Sequence, residues 1–192
     1  MHRRTKIVVL GAALLLTAGM AGAATASGDP GKPSAATGKS LEAGGKPREA
    51  AALTGTAKLY RAAGDDITFA FDVHLAAKDK ADPMKATGTF EWSHYVDGVG
   101  AWAKAKVDCL VTGGKVAVVS GVVTDTDLPG EKGTRVGITV HDLGRNDRLG
   151  YSWATTEDLG PDDLPKCVSS APFEKVKKGT GDFTVVPWQP DF

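Results

Sequence analysis

The residues in this 192-residue chain that could do chemistry are two cysteines, four histidines and a few grouped carboxylates. Cys109 and Cys167 lack the CxxC spacing of a redox pair, and Cys109 has no basic neighbour on its own strand face to activate a thiolate. In an exported chain two such cysteines read as a disulfide, Cys109 to Cys167. Cys109 falls on the inward parity of a predicted strand and Cys167 in a long irregular segment, so the bridge would staple that segment to the sheet. Of the histidines, His2 lies in the leading segment and His74 and His141 have the outward parity of their strands. His94 shares a face with Phe90 and Trp92. One histidine per strand reads as a surface or core residue. No GxSxG, SxxK or HExxH run is present. No catalytic, cofactor-binding or metal-binding residue is assigned, and no cofactor is expected.

Asp142, Asn146 and Asp147 share one short segment, and Asp125 and Asp127 share another. Oxygen donors of this kind suit a hard cation such as Ca²⁺. Pro129 occupies the fifth position of the second group, which breaks the EF-hand pattern. Asp and Asn are also the residues that tight turns use for their own backbone hydrogen bonds. Turn chemistry is therefore the expectation at both places.

These residues must be positioned by strands. VGITVHDLGRNDRLGYSW, residues 136–153, alternates Val136, Ile138 and Val140 before the tip and Leu149, Tyr151 and Trp153 after it. Period-two alternation on both sides of DLGRND predicts an antiparallel hairpin with one buried face. The same pattern predicts strands over 53–60, 66–76, 85–95, 101–111, 116–124 and 183–186. Phe69, Phe71, Phe90, Trp92, Tyr151 and Trp153 share inward parity, either as solid core or as the wall of a cavity. Trp102 has the opposite parity, among lysines, and is read as an exposed aromatic. No stretch of ten residues has a 3.6-residue apolar period. The expected fold is all-β: an antiparallel up-and-down barrel or a β-sandwich of seven to eight strands.

The first 26 residues read as a secretory signal: Arg3, Arg4 and Lys6 precede the apolar run IVVLGAALLL, with a small-residue cleavage site before Ser27. Residues 27–52 have three prolines and five glycines but Leu41 as the one large apolar side chain, too little to offset the entropy of ordering. They read as a disordered tether, and residues 53–192 as the folded domain. Loss of the signal would remove three of the 23 Lys and Arg and none of the 23 Asp and Glu, leaving a formal charge of −3. Nucleic acid is not an expected partner of such a surface. Lys175, Lys177 and Lys178 are the one basic cluster. A secreted protein without stable membrane insertion is expected after cleavage.

The runs VHDLGRNDRLGYSW and VDCLVTGGKVAVVSGVV resemble the V-x-D-x-G-x-x-D-x-hydrophobic and V-x-C-L-x-V-x-G signatures of small secreted actinobacterial domains. These are the post-COAP type and the bacterial proteins labelled repetin. The resemblance spans about residues 53–186, agrees with the Ala- and Gly-rich composition, and brings no activity or catalytic residue with it. The expected role is a binding or envelope-associated module. The alternatives are a cavity enzyme (hydrolase or isomerase) and a protease inhibitor presenting the loop DLGPDDLPKC, residues 158–167.

Overall fold

A computed structural model of the chain describes residues 49–153 and 164–189. The signal, most of the tether and the front of the DLGPDDLPKC loop lie outside the described residues.

Alternation makes the strands. In β2 (Asp66–Ala76) Ile67, Phe69, Phe71, Val73 and Leu75 are buried while the residues between them are open or half-open, so one face carries the apolar side chains. β1 (Glu49–Lys58), β3 (Thr87–Val96), β4 (Val99–Gly113), β5 (Val116–Thr126), β6 (Arg135–His141) and β7 (Arg148–Trp153) follow in chain order. Each pairs antiparallel with the next, which short turns permit. The central hairpin has the expected register, Val136 opposite Trp153, Ile138 opposite Tyr151 and Val140 opposite Leu149. β8 (Glu174–Lys175) adds to β7, and β9 (Asp182–Val186) returns to lie beside β1, with Leu53 opposite Val185.

All nine strands form one sheet in the order β8-β7-β6-β5-β4-β3-β2-β1-β9. The all-β expectation holds, with nine strands in place of seven or eight. The strand missed is β8, because two residues are too few to show an alternation. β1 also starts at Glu49, so Glu49–Ala52, assigned to the tether by composition, belong to the sheet. Ala51 and Ala52 are buried there, and alanine's small side chain hid them from a count of large apolar residues.

The sheet is strongly curled. The rings of Phe69 on β2 and Tyr151 on β7 lie 6.0 Å apart, although β3 to β6 separate their strands in the ladder. Phe71 meets Phe183 of β9 edge-on at 5.4 Å and Phe90 at 6.1 Å. The apolar face thus closes over Leu53, Val73, Phe90, Ile138 and Leu149, all buried. The segment after β8 is bonded on two sides: Val176 N–H donates to Asp147 O (3.0 Å), while Tyr60 N–H donates to Lys175 O and Lys177 N–H to Lys58 O.

One parity expectation fails. β4 carries a register shift at Asp108, between Val107 and Cys109, where an extra residue turns the strand over. Beyond it Leu110 and Thr112 point inward, and Val111 is exposed. Cys109 therefore lies on the convex face, outside the apolar core cluster, and is buried from the other side.

Candidate functional site

At the Val136 end of the central hairpin the curled sheet does not fill its own interior. A cavity of about 530 Å³ opens between the starts of β2 and β6, the ends of β3 and β7, the start of β4 and the 127–133 loop. Its wall is Ile67, Phe69, Trp92, Ala101, Ala103 and Val136, with Val99 and Leu128 at the rim. Strand alternation aims these side chains inward. The small alanines of β4, set opposite Trp92 and His94 of β3, leave the space empty. Val99 is 80% exposed, an apolar side chain in water at the mouth. Volume and lining are those of a small-molecule site.

Three polar side chains interrupt this surface: His94, Glu131 and Tyr151. His94 Nε2 lies 3.1 Å from Asp65 Oδ2, so a carboxylate orients the imidazole at the rim. The Arg61 guanidinium, bound by Glu174, is held more firmly charged; burial opposes this and Tyr151 adds to it. An imidazole oriented by a carboxylate could serve as a general base. Among the described residues the lining contains no serine, threonine, cysteine or lysine.

No family model, curated protein or solved structure matches this chain.

The aromatic set divides between the two roles foreseen for it. Phe71 and Phe90 are solid core, whereas Phe69, Trp92 and Tyr151 form the cavity wall that continues the same stack. Trp102 is half-buried. Its backbone N–H donates to Asp127 Oδ1 (2.8 Å), and its backbone carbonyl accepts from Thr126 Oγ1. His74 joins Glu49 of β1 (2.7 Å) to Asp72 (2.8 Å); hydrogen bonding to Asp72 and Glu49 raises its pKa against the opposing effect of burial.

The carboxylates at the hairpin tip do more than shape a turn. Asp142 Oδ1 accepts Gly144 N–H (3.2 Å) and Asp147 Oδ1 accepts Leu143 N–H (2.7 Å), the local bonds expected of turn chemistry. Their second oxygens reach β9: Asp147 Oδ2 takes Phe183 N–H (2.9 Å) and Asp142 Oδ2 takes Val185 N–H (3.3 Å). Two side chains thus cap an edge that the ladder leaves unpaired. Asp147 is 1% exposed. Burial pushes its carboxyl above the usual aspartate range and Asp182 pushes the same way, while the two amides pull it down. Asp125 is spent on Thr126 N–H in the same manner. Among the described residues no group of His, Cys, Asp and Glu is arranged to hold a metal ion.

The disulfide Cys109–Cys167 is present, with Cα atoms 5.4 Å apart, and it fastens the strap of residues 164–173 across the convex face of β5 to β7. The strap is also bonded through Ser120 Oγ, which accepts Cys167 N–H (2.9 Å) and donates to Asp108 (2.6 Å). Arg135 pairs with Asp108 (2.8 Å) and donates to Leu164 O. Two glycines make room: a Cβ on Gly137 would lie 1.9 Å from Val168 O, and one on Gly150 would lie 2.1 Å from Ala171 O. The alternation of Val136, Ile138 and Val140, and of Leu149, Tyr151 and Trp153, leaves Gly137 and Gly150 on the outward parity. Gly137 lies opposite Ser152 and Gly150 opposite Thr139, so two glycines two residues apart on the outer face of one hairpin were the signal that something crosses there.

Proposed function

We propose that this chain is a secreted binding module whose barrel-end cavity takes a small, largely apolar molecule with a polar head. The observation that carries this reading is the open cavity of about 530 Å³, apolar in its depth, with His94, Glu131 and Tyr151 as its polar groups. Such a pocket buries an apolar body and orients it by a few hydrogen bonds. In this reading the sheet is an up-and-down barrel. The two-sided bonding of residues 174–177 and the carboxylate caps on β9 stand in for the missing ladder. Export is supported by the disulfide and by the leading segment. Among the described residues no helix is long and apolar enough to cross a membrane. The runs VHDLGRNDRLGYSW, with Asp142, Gly144 and Asp147, and VDCLVTGGKVAVVSGVV support reading the chain as a relative of post-COAP and repetin-type domains.

The test is titration with a neutral naphthylamine probe, following its emission and the quenching of tryptophan. Saturable one-to-one binding is expected, abolished in Ala101→Phe, which plugs the mouth, with the melting temperature held. Probe uptake that never saturates, or that survives Ala101→Phe, sinks the proposal.

A further inference from the structure

A second concavity, of about 420 Å³, lies where the hairpin tip meets the turn between β8 and β9. Its character is opposite to that of the apolar cavity. Arg145 and Asn146 reach it from the 3₁₀ turn Gly144–Asn146, and Lys177 and Lys178 from the facing turn; Asp182 is its one acid. The chain has equal numbers of acidic and basic residues, so three cations around one hollow is a local excess.

Several cations elsewhere are matched: Lys58 with Asp66, Arg61 with Glu174, Lys104 with Glu91, Arg135 with Asp108. Among the described residues no ion pair forms at Arg145, Lys177 or Lys178, and Lys177 has only a longer-range attraction to Asp66. Like charges gathered around a hollow raise the local potential and draw in an anion. Gly144 and Gly179 have φ of +63° and +77°, with open space on the side where a Cβ would stand, so neither turn crowds the hollow. Asp182, exposed at the start of β9, interacts with Asp147 and is outnumbered by the three cations.

We propose that this hollow binds phosphoryl groups, with Arg145 as the forked donor and Lys177 and Lys178 as point charges. The volume accommodates more than one such group. A free polyphosphate and an anionic lipid headgroup share this chemistry.

The experiment is calorimetric titration of the full chain with inorganic pyrophosphate at low ionic strength, beside flotation with phosphatidylglycerol and phosphatidylcholine vesicles. Saturable pyrophosphate binding is expected, weakened at least about tenfold in Lys177→Glu/Lys178→Glu and weakened by added salt. The double variant Lys106→Glu/Lys166→Glu makes the same change in net charge elsewhere and should bind as the parent does. Asp182→Asn, which removes the opposing charge, should tighten binding several-fold. Phosphatidylglycerol flotation that pyrophosphate competes away assigns the source to lipid; pyrophosphate binding without flotation assigns it to a soluble ligand. No saturable binding of either, or equal losses in the two double variants, overturns the site.

Discussion

Asp147 accepts the backbone amide of Phe183 across 36 residues of sequence, in a buried setting, with the carboxylate oxygen that its own turn leaves over. One side chain therefore serves two purposes: it closes the β6–β7 tip and ends the free edge of β9. Replacement by alanine strands two amides at once. At about 1–3 kcal/mol for each unsatisfied buried group, Asp147→Ala should lose about 2–6 kcal/mol in urea denaturation. Asp142→Ala, whose bonds are longer and less buried, should lose about 0.5–1.5 kcal/mol.

The same carboxylate sets a pH dependence. Its folded pKa is raised, by burial first and then by Asp182, so ionised Asp147 costs stability above that pKa. The cost is relieved as pH falls through the folded value and is gone below the ordinary aspartate pKa of about 3.9. Asp182→Asn should therefore melt higher than the parent at pH 7, and the gap should close as the solution is acidified. A gap independent of pH would refute this coupling.

Calcium should leave the protein unchanged. The oxygens of Asp142 and Asp147 are already occupied by Gly144, Val185, Leu143 and Phe183 amides, and a cation would have to displace them. A bound ion at a hundredfold excess over Kd would add about 2.7 kcal/mol. Scanning calorimetry with and without millimolar Ca²⁺ should show no shift.

The disulfide closes a loop with a sequence separation of 58. Chain entropy assigns such a closure about 4 kcal/mol, so the Cys109→Ser/Cys167→Ser variant should lose up to that amount and expose the strap to protease. Mass spectrometry of the native protein should find both cysteines blocked to alkylation without reductant.

The strap and its two glycines should be coupled. Gly150→Ala forces a Cβ against Ala171 O, an overpacking worth about 1–3 kcal/mol while the strap is fastened. In the cysteine-free background the strap can lift, and the penalty should fall by more than half. Additive losses in the double-mutant cycle would show that the strap stays down without its bridge.

The strands that alternate, β2 and the β6–β7 hairpin above all, were legible because one face of each is apolar and the other is not. The cysteine pairing was legible as well, but not the face on which it lies. A bulge of one residue at Asp108 inverts parity, and no residue type there announces it. β8 and the alanines of β1 escaped because neither carries large apolar side chains in sequence. The second oxygens of Asp142 and Asp147 were hidden for another reason: a local turn accounts for both residues, and their distant partners on β9 depend on how far the sheet curls. The cavity follows the same rule. Trp92 and Ala103 are paired across two strands, and whether the space between the walls is filled depends on that curl.

β1 and β9 are antiparallel neighbours with Ala52 opposite Val186, so the first strand starts where the last one finishes. The order of strands around the fold is then separable from the order of residues along the chain. A short peptide joining residues 189 and 49, with new termini cut at the exposed Gly113–Gly114 turn, would give a circular permutant that keeps every ladder and loses only the covalent β4–β5 connection.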